Sequence, residues 1–86
     1  MSCGAYTADF SPMDDKITAL FEEHRAQIAA QLGASELIPQ GYQTQVVNGT
    51  NYRVTGTADG RNFTAVFHEA LPCYGGALTF SNAEFN

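Results

Sequence analysis

Two histidines, two cysteines and two adjacent carboxylate pairs are the residues of this chain whose types could do covalent chemistry. Cys73 would need His68 or His24 as its base, and a cationic neighbour to lower its thiol pKa. His24 falls on the apolar stripe of a helical stretch, which suits a satisfied, partly buried imidazole better than a base. His68 falls on the outward side of a strand pattern, and Cys73 lies in a glycine-rich loop with no lysine or arginine beside it. Asp14-Asp15 and Glu22-Glu23 are consecutive, so they diverge around a helix and do not form an acid–base pair. Cys3 and Cys73 are too few and too widely spaced for a disulfide framework or a zinc site. Tyr74-Gly75-Gly76 reads as a turn, not a phosphate loop. The residue types predict no catalytic group, no metal and no cofactor, and they point to recognition.

The stretch best suited to recognition is Gln45-Val46-Val47-Asn48-Gly49-Thr50-Asn51-Tyr52. β-Branched and aromatic residues flank Asn48-Gly49, the pair that best tolerates positive φ at both central positions of a type I′ hairpin turn. Val46 and Val47 are neighbours, so on a ribbon they point to opposite sides and one of them is left outside a one-sided core. A short, stiff, apolar tip loses little entropy on binding and suits insertion into a cleft.

The elements that must position this tip are one helix and a sheet. Ser11 can be an N-cap and Pro12 the first helical residue, with Asp14 and Asp15 in the first turn. Ile17, Leu20, Phe21, His24, Ile28 and Leu32 keep helical spacing, and Gly33 is a left-handed stop, so the helix is predicted over 12–32. The sheet is predicted over 40–81, with Pro39 marking its start. Its strands are expected at 42–47, 50–58, 61–70 and 77–81, with Asp59-Gly60 as a second hairpin turn. Tyr52, Val54, Gly56 and Ala58 share one face and shrink along the strand, which would let the helix cross close at Gly56 and Ala58. Phe63, Ala65 and Phe67 share a face, with Val66 opposite beside Thr64 and His68. Leu71 to Gly76 is a longer loop, and its Cys73-Tyr74-Gly75-Gly76 run predicts a loose one. Residues 1–10 read as a mobile arm and 82–86 as a loose end. The fold class is α+β, an antiparallel meander packed on one helix, in a single domain spanning 1–86.

The formal net charge is −5, with Lys16, Arg25, Arg53 and Arg61 as the fixed cations. That balance argues against nucleic-acid and anionic-membrane partners, which require a basic patch. No apolar run approaches the ~18 residues of a spanning helix. No charged segment followed by an apolar one opens the chain, so no secretory signal is read there. With two unpaired cysteines, this predicts a reducing, cytoplasmic setting. Asn48-Gly49-Thr50 and Asn62-Phe63-Thr64 are then accidental glycosylation sequons.

Gln45-Val46-Val47-Asn48-Gly49 resembles the QxVxG loop of the cystatins, and Thr50-Asn51-Tyr52 continues it as in the stefins, the single-domain intracellular branch. Met1-Ser2-Cys3-Gly4-Ala5 is similar to a stefin N-terminus. Leu71-Pro72 and Leu78-Thr79-Phe80-Ser81-Asn82 resemble the second stefin hairpin and the strand after it. The resemblance implies a cystatin-like fold, in which a meander of four to five strands wraps one long helix, with a short extra strand within Ala5 to Phe10. It implies reversible, competitive, tight inhibition of papain-like cysteine proteases of the cathepsin type. The protease-binding residues by match are Cys3 and Gly4 on the arm, Gln45, Val46, Val47, Asn48 and Gly49 on the first loop, and Leu71, Pro72, Cys73 and Tyr74 on the second. A monomer is expected, and the exposed hairpin makes a domain-swapped dimer conceivable. Two other readings stand beside this one: a cystatin-fold binding module without inhibitory activity, and a small thiol enzyme built on Cys73.

Overall fold

The computed structural model describes residues 10–86, the side chains of Val47 and Pro72 excepted. Among these residues the chain forms β1 (Ser11–Pro12), α1 (Asp15–Glu23), α2 (Arg25–Leu32), β2 (Leu37–Val47), β3 (Gly49–Ala58), β4 (Arg61–Glu69), a 3-10 turn at Pro72–Tyr74, and β5 (Leu78–Phe85). The strands form one antiparallel sheet in the order β1-β2-β3-β4-β5. The class is α+β, as the sequence predicts.

The helix begins later than expected. Ser11 and Pro12 are strand, paired with Tyr42 and Gly41. Proline lacks an N–H and is tolerated on an edge strand as readily as at a helix start. The cap is Asp14, whose Oδ1 accepts the Ile17 N–H at 2.8 Å. Its other oxygen accepts the Tyr42 hydroxyl at 2.7 Å, tying the cap to the sheet. The extra strand was expected within Ala5 to Phe10; Phe10 is not strand, and β1 is Ser11–Pro12. Positions 5–9, like the rest of the arm, lie outside the described residues.

One long helix was expected, and two segments are found. His24 Nδ1–H donates to the Leu20 carbonyl at 3.0 Å, while the His24 backbone N–H turns to Phe21 at 3.1 Å. A side chain that takes an i−4 carbonyl interrupts the ladder. The helix resumes with Ile28 N–H bonded to the His24 carbonyl at 3.0 Å. Gly33, at φ 68°, ends it as the sequence predicts.

The apolar stripe of the helices, Ile17, Leu20, Phe21 and Ile28, packs on Tyr52, Val54, Ala58, Phe63, Ala65 and Phe67. The alternation expected for β3 and β4 is therefore observed. The role expected for Gly56 is not. Strand β2 begins at Leu37 rather than after Pro39, and its register with β3 shifts between Pro39 and Gly41. This bulge lays the Ile38–Pro39 backbone over Gly56. A Cβ there would fall on the Ile38 carbonyl oxygen and within 2.8 Å of Pro39 Cα. Gly56 makes room for β2, not for the helix.

The end of the chain is also ordered where a loose end was expected. The pairs Val66↔Asn82 and Phe67↔Phe80 leave Ser81 unmatched, and this bulge carries β5 on to Phe85. Ala83 becomes buried, and the Arg61 guanidinium sits 4.0 Å from the Phe85 ring centroid. Asn86 N–H donates to the Asn62 carbonyl at 3.0 Å.

Asp59 and Gly60 both have positive φ, 50° and 84°, as a type I′ turn requires. The Asp59 carboxylate accepts the Glu36 and Ser35 N–H groups at 2.9 and 3.1 Å, and these bonds hold its carboxyl below the usual range. The Ile17 N–H and the Tyr42 hydroxyl do the same for Asp14. Both carboxyls bind protons more weakly folded than unfolded. Their stabilisation is complete above the ordinary aspartate range and is lost as pH falls through the folded values. The urea midpoint should drop on acidification, and Asp59→Asn should shrink that drop; equal drops in both proteins would show that Asp59 plays no part.

Candidate protein-recognition site

The β2–β3 tip and the β4–β5 loop lie at the same end of the sheet. Gly49 and Thr50 from the first, with Glu69, Ala70, Leu71, Gly75 and Gly76 from the second, line one groove of about 330 Å³. Register explains the meeting. Val46 pairs with Thr50, Thr50 with Glu69, and Glu69 with Leu78, one row across four strands. Val46 and Tyr74 are 65% and 70% exposed, so each loop offers a large apolar side chain to solvent beside the groove.

The tip is not the two-residue type I′ turn expected. Val47 pairs with Gly49, leaving Asn48 alone between them, and Asn48 is not among the positive-φ residues. Gly49 is, at φ 115°, the arrangement of a three-residue loop closed by glycine. A Cβ on Gly49 would fall on the Glu69 carbonyl oxygen and within 2.9 Å of His68 Cε1. Glycine is needed here because β3 starts against β4 at this residue, so Gly49 belongs to the sheet as much as to the tip.

Behind the tip runs a polar rung in register. Asn51 Nδ2 donates to Gln45 Oε1 at 2.8 Å, and His68 Nδ1–H donates to Asn51 Oδ1 at 2.8 Å. Gln45 is thereby oriented from two strands away. On the helix side, the Tyr52 hydroxyl donates to Glu69 Oε1 at 2.7 Å, and Lys16 Nζ reaches Tyr52 at 3.1 Å and Glu69 at 3.3 Å. The Tyr52 bond, then Lys16, lowers the Glu69 carboxyl, and bonding to Tyr52 raises Lys16. Exposed pairs of this kind add little stability; this one fixes where the Glu69 carboxylate stands in the groove.

The second loop is a closed turn rather than the loose one expected. The Leu71 carbonyl accepts the Tyr74 and Gly76 N–H groups at 2.8 and 3.1 Å, and Ala70 N–H bonds the Ala77 carbonyl at 2.9 Å. Gly75 and Gly76, at φ 97° and 64°, supply the reversal that other residues resist.

Of the residues singled out in the sequence, Gly49 and Leu71 meet in the groove, Val46 and Asn48 are exposed at the tip, and Cys73 and Tyr74 are exposed on the second turn. Gln45 is half-buried. Cys3 and Gly4 lie outside the described residues, as do the side chains of Val47 and Pro72. Glu69 was not anticipated, because only the strand register puts it at the groove; Thr50 was named within the recognition stretch but not among the contact residues. Of the two histidines, His24 directs Nδ1 to the Leu20 carbonyl, with its ring 5.5 Å from Phe67, and His68 directs Nδ1 to Asn51. Among the described residues no three His, Cys, Asp or Glu gather as a metal site, and no helix is long and apolar enough to cross a membrane. Compared with known proteins, the chain matches no protein-family model and no curated sequence.

Proposed function

We infer that this chain is a cystatin-like, stefin-type inhibitor that occludes the active-site cleft of papain-like cysteine proteases, reversibly and competitively. One observation carries the reading: the hairpin tip and the second turn, the two loops that match the stefin pattern, line one groove and expose Val46 and Tyr74 beside it. Both loops are internally bonded, so little ordering remains to oppose binding. The wedge would fill the cleft on both sides of the catalytic cysteine and present no carbonyl in attack geometry, so the inhibitor is blocked from reacting while it blocks substrate. Cys3 and Gly4 are proposed as the third contact, and the protein is proposed to act as a cytoplasmic monomer.

Titration of papain, then of cathepsin-type proteases, tests this. The protein should remove activity with one-to-one stoichiometry. Val46→Asp puts a carboxylate on an exposed position of the tip, so it should leave the thermal midpoint unchanged and weaken inhibition by about a hundredfold or more. Val46 is a cleaner probe than Gly49, where any side chain would disturb the sheet. Absence of inhibition at micromolar protein would leave a binding module with another task. Inhibition untouched by Val46→Asp would move the contact away from the hairpin.

A further inference from the structure

The chain contains two Asx-Gly pairs, Asn48-Gly49 and Asp59-Gly60, and the structure treats them oppositely. Asp59 is held: its two carboxylate oxygens each accept a backbone N–H, from Glu36 at 2.9 Å and Ser35 at 3.1 Å. Asn48 is not held. It is exposed, stands alone between the last register pair of the hairpin, and among the described residues its side chain makes no hydrogen bond. Its carboxamide is free to rotate toward the next peptide nitrogen, and that nitrogen belongs to a residue with no Cβ to obstruct the approach. The other internal asparagines are followed by larger residues. Asn51 and Asn82 are also engaged through their side chains, with Gln45 and His68 and with Gln31 respectively.

We propose that Asn48 is a spontaneous deamidation site, a chemical timer at the hairpin tip. The Gly49 peptide nitrogen attacks Asn48 Cγ; the N–Cγ bond forms and the Cγ–Nδ2 bond breaks. The proton given up by the Gly49 nitrogen leaves with Nδ2 as ammonia. Water then opens the succinimide. Addition at Cγ yields aspartate. Addition at the Asn48 main-chain carbonyl yields isoaspartate, in which the backbone runs through Cγ and is one atom longer. No electrons are exchanged with a partner, and water is the single co-reactant. Either product places a carboxylate at the tip and makes the formal net charge of −5 one unit more negative.

The consequence rests on the protease-inhibitor reading. A tip that enters an apolar cleft tolerates a neutral amide far better than an unpaired carboxylate. The isoaspartate form also breaks the pairing of Val47 with Gly49 that keeps the tip short. Ageing would therefore switch the inhibitor off without unfolding it.

The experiment is to age the full chain in mildly alkaline buffer at body temperature, map its peptides by mass, detect isoaspartate by enzymatic methylation, and titrate papain with fresh and aged samples. Fresh Asn48→Asp and aged Asn48→Gln serve as comparators. Conversion at Asn48 should outrun that at Asn51, Asn62 and Asn82, with Asp59 left as ordinary aspartate. Aged protein and fresh Asn48→Asp should inhibit about tenfold or more weakly than fresh protein, and aged Asn48→Gln should inhibit no more weakly than its own fresh sample. An Asn48 that stays an amide while other asparagines convert overturns the site, whatever the papain assay gives. Conversion at Asn48 with undiminished inhibition overturns the timer. Fresh protein that never inhibits papain sinks the protease reading instead, and the mass map still decides the site.

Discussion

Gly56→Ala should destabilise the protein by about 3 kcal/mol or more, a large share of the ~5–15 kcal/mol that holds a domain of this size together. The added methyl group would meet backbone, not a side chain that could rotate away. The Ile38 carbonyl oxygen and Pro39 Cα occupy its place. Relief would require β2 to lift from β3 at its bulge, and Leu37, buried against the core just before it, would be dragged along. Urea unfolding compared with the parent protein measures the loss. A change below about 1 kcal/mol would mean that the bulge flattens easily and that β2 is not held by this contact.

Phe67→Ala should cost about 3–5 kcal/mol, the range for removing a fully buried phenylalanine. Its ring is completely buried and lies 5.5 Å from the His24 ring and 5.6 Å from that of Phe80, centroid to centroid. It therefore sits between two of the irregularities of the fold, the helix break at His24 and the β5 bulge at Ser81. Phe80→Ala, at a half-buried position, should cost distinctly less. Calorimetric or urea unfolding of the two variants provides the comparison. Equal losses would show that the bulge, rather than the core beneath it, depends on the aromatic pair.

The regular parts of this fold were readable in the sequence because they rest on local periodicity. The stripe from Ile17 to Ile28 and the alternation Phe63-Ala65-Phe67 are burial patterns that need no knowledge of partners. The Asp59-Gly60 turn was readable for the same reason, since its conformation is set by two residues. The irregular parts depend on residues far away in sequence. Pro39 looks like a strand boundary until β3 is seen to tolerate a bulge opposite it, and Gly56 then acquires its true neighbour. Ser81-Asn82 looks like an ending until the register with Val66 and Phe67 carries the strand past it. Ser11-Pro12 suits a helix start as well as an edge strand, and the pairing with Tyr42 decides between them. Within the site, Val46, Gly49, Leu71 and Tyr74 stand out as turn and apolar residues, whereas Glu69 enters the groove only through its pairing with Thr50.

Because the strands lie side by side in the order in which they occur along the chain, assembly can follow synthesis, each strand finding its neighbour already in place. The helices are the exception. They leave the ribosome early with Phe21 and Ile28 exposed, and much of the surface that covers them, Phe63 to Phe67 of β4, arrives only after two further strands have been made. At ~5–20 residues per second, that interval lasts on the order of seconds. During it the nascent chain is a hydrophobic helix in search of a sheet, and the Asp59-Gly60 reversal, which brings β4 back onto β3, is the step that ends the exposure.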